Sequence, residues 1–502
     1  MTGAVTSGGP APELIDGAYA YELRTAAVMH DGLNLADMAH LLQLVADGIV
    51  PRAASVELAG ALQRADGTAW SDFGYDAAGG EPYNSRERRF EAELGHGAGW
   101  LHAGRPRREA TRVAFRLHLR REVCMLVLAA ARLAAALAER GREHRATLFA
   151  DHTYLQPAQP STVGHYLTSF AYPMLRDGER LLGVVAWLNG SPCGAGAVNG
   201  SRLVAEREGT AAALGFDHVI VNTRDAMWQV DGLIELGSTV ASLACAQTSL
   251  AEDLEIWASE EFGYVELGSG YERSSVLMPQ KRNPYALSMI RGMAGVLIGR
   301  LTGLLAVQKG PSARSDSLIM AYGEVPTMVD EARRTTELTA GVVETLTIDE
   351  ARLRETLDAG STQATDLADE LMRRCGLDYR RAYRVAGRAL RILADRGLPA
   401  GELTSDVLDA AAVEVTGGPL AADPGDLGDA LDPLAVVATR SAVGGAAPAA
   451  VDEMVDEIER RQRALVAAAE AHLARFLVAE TALRERLRAL ARDGSPDGGG
   501  SG

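Results

Sequence analysis

Apolar residues recur every three or four positions over long stretches of this chain, a period typical of helices. The strongest stretches are residues 115–140, 231–262, 288–307, 325–346 and 451–492. The first of them is followed by Gly141, and glycine commonly terminates helices. We find no alternation of strands with helices of the kind that builds a parallel sheet. The pattern therefore predicts a protein built mainly of long helices.

Polar segments interrupt this pattern and predict the connections. Residues 66–86, 268–283 and 417–432 are rich in Gly, Asp, Ser or Pro, and long loops of this kind are commonly functional. Residues 493–502 are rich in Gly and Ser and predict a disordered tail. The segment 194–200 (GAGAVNG) lacks the third glycine of the GxGxxG fingerprint and follows no predicted strand, which excludes a dinucleotide-binding role.

Charge and cysteine usage narrow the range of functions. The 502 residues include 50 Lys and Arg against 67 Asp and Glu, a formal net charge of −17. Such a chain is unsuited to bind nucleic acid or an anionic membrane, although a locally basic pocket could take a small anion. The four cysteines are widely spaced and form no CxxC pair or Cys/His cluster, which argues against a disulfide framework and a zinc site. A cytoplasmic location is the default expectation.

No targeting or membrane-spanning segment is predicted. Residues 1–14 contain neither a positive region nor an apolar core. The longest apolar stretch, residues 123–138, carries Arg132 in its middle and is predicted to be a buried helix.

Three motifs occur in the order known for one enzyme family. Residues 274–284 (SSVLMPQKRNP) resemble the GSSxMPxKxN signature of the fumarase/aspartase superfamily. Residues 101–109 (LHAGRPRRE) are similar to the LHTGRSRND segment of argininosuccinate lyases. Residues 153–160 (TYLQPAQP), followed by GHYL at 164–167, resemble THxQxAQP…GHxL. The resemblance runs from about residue 81 to residue 451 and is greatest to argininosuccinate lyase.

The resemblance implies an all-α fold in three parts. We expect an N-terminal helical domain at 1–112, a central helical bundle with the mobile catalytic loop at 113–365 and a C-terminal helical domain at 366–492. In the family, four central bundles form a homotetramer, and each active site takes its motifs from three different chains. The resemblance implies a small anionic substrate, fumarate as product, no metal and no cofactor.

The serine motif implies the chemistry. Family members remove a proton next to a carboxylate, and the resulting carbanion needs strong electrostatic stabilisation, for which a closing loop with several backbone N–H groups is suited. By the resemblance Ser275 is the base, Lys281 offers a cation to the developing charge, and Asn283 offers hydrogen bonds. The motif departs from the family at Ser274, where glycine is usual, and at Val276, where a second serine is usual.

The other two motifs imply substrate contacts. Guanidinium groups suit carboxylate binding. The expected substrate-binding residues are Arg105, Arg107, Arg108, Thr153, Gln156 and Gln159, of which Arg108 replaces a substrate-contacting asparagine of the family.

The largest departure concerns the general acid. The family histidine that protonates the leaving group aligns with Tyr154, and the glutamate that supports it aligns with Ser288. Either Tyr154 donates the proton, helped by Arg108 or Arg314, or the leaving group departs as a stable anion such as nitrite. A third alternative is that His152 or His165 has taken over the role, although we expect both to be structural.

A fourth region bears on the substrate. After residue 310 the family's Tyr, Gln and Lys that hold argininosuccinate are replaced by Arg314, Ile319 and Tyr322. Arg314 is therefore a further expected substrate-binding residue, and its charge suits an anionic substituent on the substrate better than a cationic guanidinium.

Three hypotheses follow. The first is a lyase that eliminates a nitrogen leaving group from a 2-substituted succinate, such as an N-substituted aspartate or nitrosuccinate, and releases fumarate. The second is argininosuccinate lyase, which the replacements at Tyr154, Ser288 and after residue 310 disfavour. The third is a non-catalytic structural relative, against which the retained Ser275, Lys281 and Asn283 argue.

Overall fold

The computed structural model describes residues 9–204, 206–420 and 427–492, and their architecture is mostly helical. The predicted disordered tail at 493–502 lies outside the described residues. The N-terminal part is made of short and medium helices: α1 (Pro12–Leu14), α2 (Ala20–Leu23), α3 (Ala26–Ala46), α4 (Arg52–Asp66) and α5 (Pro82–Leu94).

The central part holds several long helices and the eight short strands of the described residues. Its helices are α6 (Arg107–Glu143), α7 (Val163–Leu188), α8 (Glu208–Ala213), α9 (Thr223–Trp228), α10 (Asp231–Trp257), α11 (Tyr285–Gln308), α12 (Asp316–Thr345) and α13 (Glu350–Ala359). Its strands are β1 (Leu148–Thr153), β2 (Gln156–Thr162), β3 (Gly190–Ser191), β4 (His218–Val219), β5 (Val265–Glu266), β6 (Arg273–Ser274), β7 (Arg282–Asn283) and β8 (Thr347–Ile348). They pair as β1–β2, β3–β4, β5–β8 and β6–β7.

The C-terminal part ends in a long helix that packs beside the bundle. Its helices are α14 (Ala364–Cys375), α15 (Tyr379–Asp395), α16 (Ser405–Thr416), α17 (Gly428–Leu431), α18 (Pro433–Ala438) and α19 (Pro448–Arg492). All five helices that the apolar period predicted are present, with shifted ends. The helix predicted at 325–346 begins nine residues earlier, because Pro326 lies inside α12 rather than at its start.

Helix α6 is the centre of the bundle. It packs against α7, α12, α19 and α3, and its buried side chains belong to the main hydrophobic core together with residues of α7, α10, α11, α12 and α19. The start of α6 also contributes Val113 and Leu117 to a second core with α3 and α4.

The expected domain at 366–492 is divided in the structure. Helices α14–α16 have a small hydrophobic core of their own, around Leu367, Val385 and Leu408. Helix α19 instead packs against the central bundle through residues such as Val455 and Ile458, and its last turns join the N-terminal core. A continuous apolar stripe along 451–492 can pack on any long helix, so the sequence period alone did not show which partner it has.

Three buried arginines follow one face of α6. Arg112, Arg116 and Arg120 are spaced four residues apart and are at most 2% exposed. Arg116 Nη1 donates to the carbonyl oxygen of Trp187 at 2.7 Å, at the end of α7, and Arg120 Nη2 donates to that of Leu214 at 2.8 Å, just after α8. Cationic groups at helix C-termini satisfy otherwise unpaired carbonyls and favour the helix dipole. The arginines therefore link the ends of neighbouring helices to α6 by hydrogen bonds.

Candidate active site

The serine motif forms the loop between β6 and β7. The two strands pair Ser274 with Arg282 and Arg273 with Asn283, which closes the base of a loop at 275–281. Ser275 Oγ accepts hydrogen bonds from the backbone N–H of Leu277 at 3.3 Å and of Met278 at 3.0 Å. Hydrogen bonds to an oxygen favour its ionised form. The loop is therefore arranged to stabilise negative charge on the predicted base.

The other two catalytic candidates of this loop differ in their surroundings. Asn283 Nδ2 donates to the carbonyl oxygen of Arg273 at 2.7 Å, so this amide already holds the base of the loop. Lys281 is exposed and lines a cleft of about 1390 Å³. The tip of the loop is fully exposed at Val276 (106%) and Leu277 (85%).

The cleft beside the loop does not suit a dicarboxylate by itself. Its lining carries Lys281, Arg140 and Arg282, but acidic residues outnumber them, among them Glu255 and Glu266. Arg282 is moreover paired with Glu266. An anionic substrate bound near Ser275 would therefore meet more acidic than basic side chains in this cleft.

Tyr154 lies at the tip of the β1–β2 hairpin. Tyr154 and Leu155 have φ angles of 55° and 57°, and such left-handed conformations cost of order 1–3 kcal/mol each in residues other than glycine. Tyr154 is 99% exposed. The pairing of Thr153 with Gln156 closes this turn. Two strained residues thus present the phenol outward, away from the rest of the chain.

The remaining candidates of this motif are also exposed at the hairpin. Thr153 and Gln156 flank the turn, and Gln159 pairs with Asp151 before a bulge. His165 Nε2 lies 3.1 Å from the carbonyl oxygen of Gly444, a bond that supports the structural role expected for it. His152 is half-buried, and burial lowers its pKa.

The arginine motif divides into one buried and two more accessible side chains. Arg105 is 5% exposed, and its guanidinium donates to Asp37 Oδ1 at 2.5 Å and to the carbonyl oxygen of Ala36 at 3.0 Å. Asp37 is held on its other oxygen by Arg86 at 2.8 Å. The structure therefore replaces the expected substrate contact of Arg105 with a structural one, because the partner carboxylate comes from α3.

Arg107 and Arg108 begin α6 and remain candidates for substrate binding. Arg107 has a half-exposed side chain 3.7 Å from Glu81, and Arg108 lies 3.9 Å from Glu22. Tyr322 is only 3% exposed and packs on Phe115. Its hydroxyl therefore belongs to the core below these arginines.

Arg314 is exposed on the segment before α12. The neighbouring Ala313 has a φ of 63°, and Ser312 Oγ accepts a hydrogen bond from Arg224 at 3.0 Å. The sequence did not single out Arg224, because nothing in the order of residues places α9 beside this segment.

A second residue that the sequence did not indicate is Glu255. Its carboxylate accepts a hydrogen bond from Ser288 at 3.2 Å and pairs with Arg291. A carboxylate thus stands beside the position of the family's glutamate, although it comes from α10. Glu255 and Ser288 are separated by 33 positions in the sequence, which leaves no local signal for this pairing.

The arginine motif does not meet the other two motifs within one chain. Arg107 begins α6, and the β1–β2 hairpin follows the other end of this 37-residue helix, which is roughly 55 Å long at 1.5 Å per residue. The serine loop is tied to that same far end, because Arg140 donates to Leu346 and β8 pairs with β5. Among the described residues, no hydrogen bond or ion pair joins Arg107 to Tyr154 or Ser275.

One helix of the bundle is apolar but poorly covered. Helix α11 is long and apolar enough to cross a membrane by length and composition, and only 22% of its apolar window is buried. The longest apolar stretch found in the sequence analysis was a different one, residues 123–138, which lie buried in α6.

In the described part of the chain, no group of three or more His, Cys, Asp and Glu is placed to hold a metal ion.

Comparison with known proteins adds to this geometry. Residues 62–299 match the lyase family and residues 361–438 match the argininosuccinate lyase C-terminal family. Argininosuccinate lyase of Halobacterium salinarum is 35% identical over 427 residues, which cover 84% of this chain and 85% of that protein. The enzyme of Natronomonas pharaonis is 34% identical over 457 residues, 90% of each chain. The chain belongs to the fumarase/aspartase superfamily.

Solved structures of the superfamily agree with the fold. EDDS lyase in complex with formate matches with a TM-score of 0.86 at 26% identity, covering 97% of both chains. A class II fumarase from Schistosoma mansoni matches with a TM-score of 0.67 at 14% identity over 82% of this chain and 90% of that chain. The predicted all-α superfamily fold is confirmed, and the protein is a carbon–nitrogen lyase similar to argininosuccinate lyase.

The different surroundings of Arg105 and Arg107 predict different mutant phenotypes. Arg105→Met leaves the buried Asp37 with one cation fewer, and we expect the free energy of unfolding to fall by roughly 3 kcal/mol. Arg107→Met removes a 3.7 Å pair between a half-exposed arginine and the buried Glu81, which keeps its hydrogen bond from the Tyr83 N–H. The loss of stability should therefore be smaller than in Arg105→Met, about 1 kcal/mol, while substrate binding should weaken. Urea denaturation followed by circular dichroism measures both. An Arg105→Met protein of normal stability but poor substrate affinity would restore the role inferred from sequence.

Proposed function

We propose that the protein catalyses β-elimination from a 2-substituted succinate and releases fumarate and a nitrogen leaving group. The observation that carries this proposal is Ser275 Oγ, which stands at the position of the superfamily base and accepts two backbone N–H groups. A serine hydroxyl is a weak base unless its ionised form is stabilised, and these hydrogen bonds favour that form.

The reaction then proceeds by proton removal and expulsion. Ser275 takes the proton from the carbon next to a carboxylate, and the electron pair moves into that carboxylate as an aci-carboxylate. Lys281 supplies positive charge where this negative charge develops. The electron pair then returns to form the double bond, and the carbon–nitrogen bond breaks. Closure of the exposed loop tip over the substrate excludes water during these steps.

We infer that the complete site forms in a homotetramer. Helix α11 exposes apolar side chains, including Val296 and Ile298. On the same helix, a Cβ added at Gly295, Gly299 or Gly303 would meet no atom within 4 Å, so a neighbouring backbone can approach closely. A partner helix covering α11 supplies the burial that this helix lacks. Arg107 of one chain can then lie near Ser275 of another.

The surroundings of Tyr154 and Ser288 support the absence of the usual acid relay. Tyr154 replaces the histidine, and the carboxylate nearest Ser288, that of Glu255, is engaged by Arg291. Two leaving-group chemistries therefore follow: protonation, by Tyr154 or alternatively by His152 or His165, or departure as an anion such as nitrite. Arg108 and the exposed Arg314 favour an anionic substituent over a cationic one.

Argininosuccinate lyase is the second candidate, and it is favoured because the relatives similar in sequence are argininosuccinate lyases. The burial of Tyr322 opposes it, since the family's lysine at this position contacts argininosuccinate and this tyrosine is 3% exposed. A non-catalytic relative is the third candidate. Assays of fumarate release from argininosuccinate, other N-substituted aspartates and nitrosuccinate separate the three.

We expect that the protein needs no metal and no cofactor, that it has no nucleic-acid or membrane partner, and that it is located in the cytoplasm.

Removal of the base tests the mechanism. We expect Ser275→Ala to lower kcat by at least about 10²-fold to 10⁴-fold, because an essential proton-transfer group contributes that much. Fumarate binding and the mass of the oligomer should be unchanged, since Ser275 bonds only within its own loop. Fumarate absorbance measures turnover, and Ser274→Ala, at the end of the adjoining strand β6, is the matched control. Turnover near the normal rate in Ser275→Ala would contradict the assignment.

Mixing two inactive variants tests the shared site. A Ser275→Ala protein and an Arg107→Ala protein, dissociated and reassembled together, should regain part of the activity, because hybrid tetramers contain sites with both native residues. Each variant reassembled alone is the control. Light scattering measures the oligomer. An active monomer, or no recovery in hybrids of verified composition, contradicts sites built from several chains.

Substitution of the tyrosine tests the leaving group. With nitrosuccinate, Tyr154→Phe should leave turnover nearly unchanged, because nitrite departs as a stable anion and needs no general acid. With amine substrates the same change should abolish turnover if Tyr154 is the donor. Parallel assays of fumarate and nitrite decide between the two. Loss of activity with amines, and no nitrite from any substrate, excludes anionic departure.

A further inference from the structure

The glycine-rich segment at 194–200 surrounds an internal carboxylate. The backbone N–H of Gly194 donates to Glu109 Oε1 at 2.8 Å, and that of Gly196 donates to Oε2 at 2.7 Å. Glu109 is 2% exposed. The segment that resembles a phosphate-binding loop in composition thus binds a side chain of its own protein.

The two glycines are required by this geometry. Their φ angles are 68° and 62°, in the left-handed region that glycine adopts without steric cost. A Cβ at Gly194 would lie 2.8 Å from Cγ of Arg207, and one at Gly196 would lie 2.5 Å from the carbonyl oxygen of Gly200. Successive amides in such a conformation form a concave anion site. We call Glu109 with these two amides the carboxylate cradle.

The cradle connects two regions that carry candidate substrate-binding arginines. Glu109 follows directly after Arg107 and Arg108 in the first turn of α6. Beyond the cradle, the carbonyl oxygen of Ala197 accepts a hydrogen bond from Trp228 Nε1 at 2.9 Å, and that of Val198 accepts one from Thr223 at 3.1 Å. Both donors belong to α9.

Helix α9 carries this connection to the segment before α12. Arg224 Nη2 donates to Ser312 Oγ at 3.0 Å, two residues before Arg314. A chain of hydrogen bonds therefore runs from the start of α6 through the cradle and α9 to the segment around residue 312.

We propose that Glu109 is a positioning residue, which through the carboxylate cradle sets the segment of Arg224 and Ser312 against Arg107 and Arg108. This inference rests on the proposed function, in which these arginines bind an anionic substrate. Glu109 itself is buried and does not touch the substrate. Its loss should therefore raise KM far more than it lowers kcat.

Burial also makes the cradle sensitive to pH. Burial raises the pKa of Glu109 to about 6, against the opposing effects of the Gly194 amide and the Arg105 charge. The carboxylate is thus ionised at neutral pH and protonates as the pH falls below about 6, which weakens its hydrogen bonds. The titratable groups that face it are Arg105, Arg207, Cys193 and His40. Burial lowers the pKa of His40 to about 3 and raises that of Cys193 to about 12, so neither titrates in this range.

Glu109→Gln tests the inference, with Glu109→Asp as the conservative variant and Glu139→Gln as the control. Glu139 lies exposed on the same helix. Glutamine keeps one acceptor but faces the second amide with an NH₂ group. We expect hydrogen exchange at 194–200 and 222–228 to quicken by about 10-fold or more in full-length Glu109→Gln at pH 7. Exchange in Glu139→Gln should be unchanged, and Glu109→Asp should be intermediate.

Kinetics on a fumarate-releasing substrate give the second measurement. KM should rise by about 10-fold or more in Glu109→Gln, with kcat changed much less. The KM of the native protein should also rise below pH 6, and this pH-dependent rise should be absent in Glu109→Gln. Unchanged exchange overturns the inference, and so does faster exchange with a native KM. If the native protein releases fumarate from no substrate, the proposed function fails. Exchange at 309–315 then decides the inference, and no change there overturns it.

Discussion

The structure depends on buried guanidinium groups along α6. Arg112, Arg116 and Arg120 donate to carbonyl oxygens at or near the ends of α7, α8 and α9. Burial lowers the pKa of Arg120 to about 9, so this group stays charged at neutral pH. A charged donor inside a core is costly unless acceptors lie beside it, and some N–H groups of these arginines, such as that of Arg112 Nε, meet no acceptor in the described residues. The hydrogen bonds that are made link the ends of the neighbouring helices to α6, and the connecting loops start from those ends.

The length and rigidity of α6 then separate the chemistry into two regions. One end carries arginines able to bind an anion, and the other end carries the serine loop and the Tyr154 hairpin. The serine end is lined mainly by acidic residues, so the proposed elimination needs the arginine end as well. In the proposed homotetramer, assembly of several chains brings the two ends together, and the exposed apolar face of α11 is the surface that favours it. Under this proposal, burial of α11 and formation of the active site depend on the same contact between chains.

Much of the fold follows from local sequence. The long helices were predicted because an apolar period of three to four residues is a property of neighbouring positions. Helix α3 was not among the strongest patterns, since 14 of its 21 residues are buried and its faces differ little in polarity. The packing partners of α19 were also not predicted, because its stripe of apolar side chains is equally suited to several helices.

The sequence by itself determined the family and predicted which residues carry the chemistry, since Ser275, Lys281 and Asn283 stand in one short motif with characteristic spacing. Only the tertiary structure decided what their neighbours do. Arg105 meets Asp37 across 68 residues, and Glu109 meets the amide of Gly194 across 85. Such pairings depend on which distant segments pack together, and a charged side chain has the same local sequence whether it binds a substrate or a buried partner.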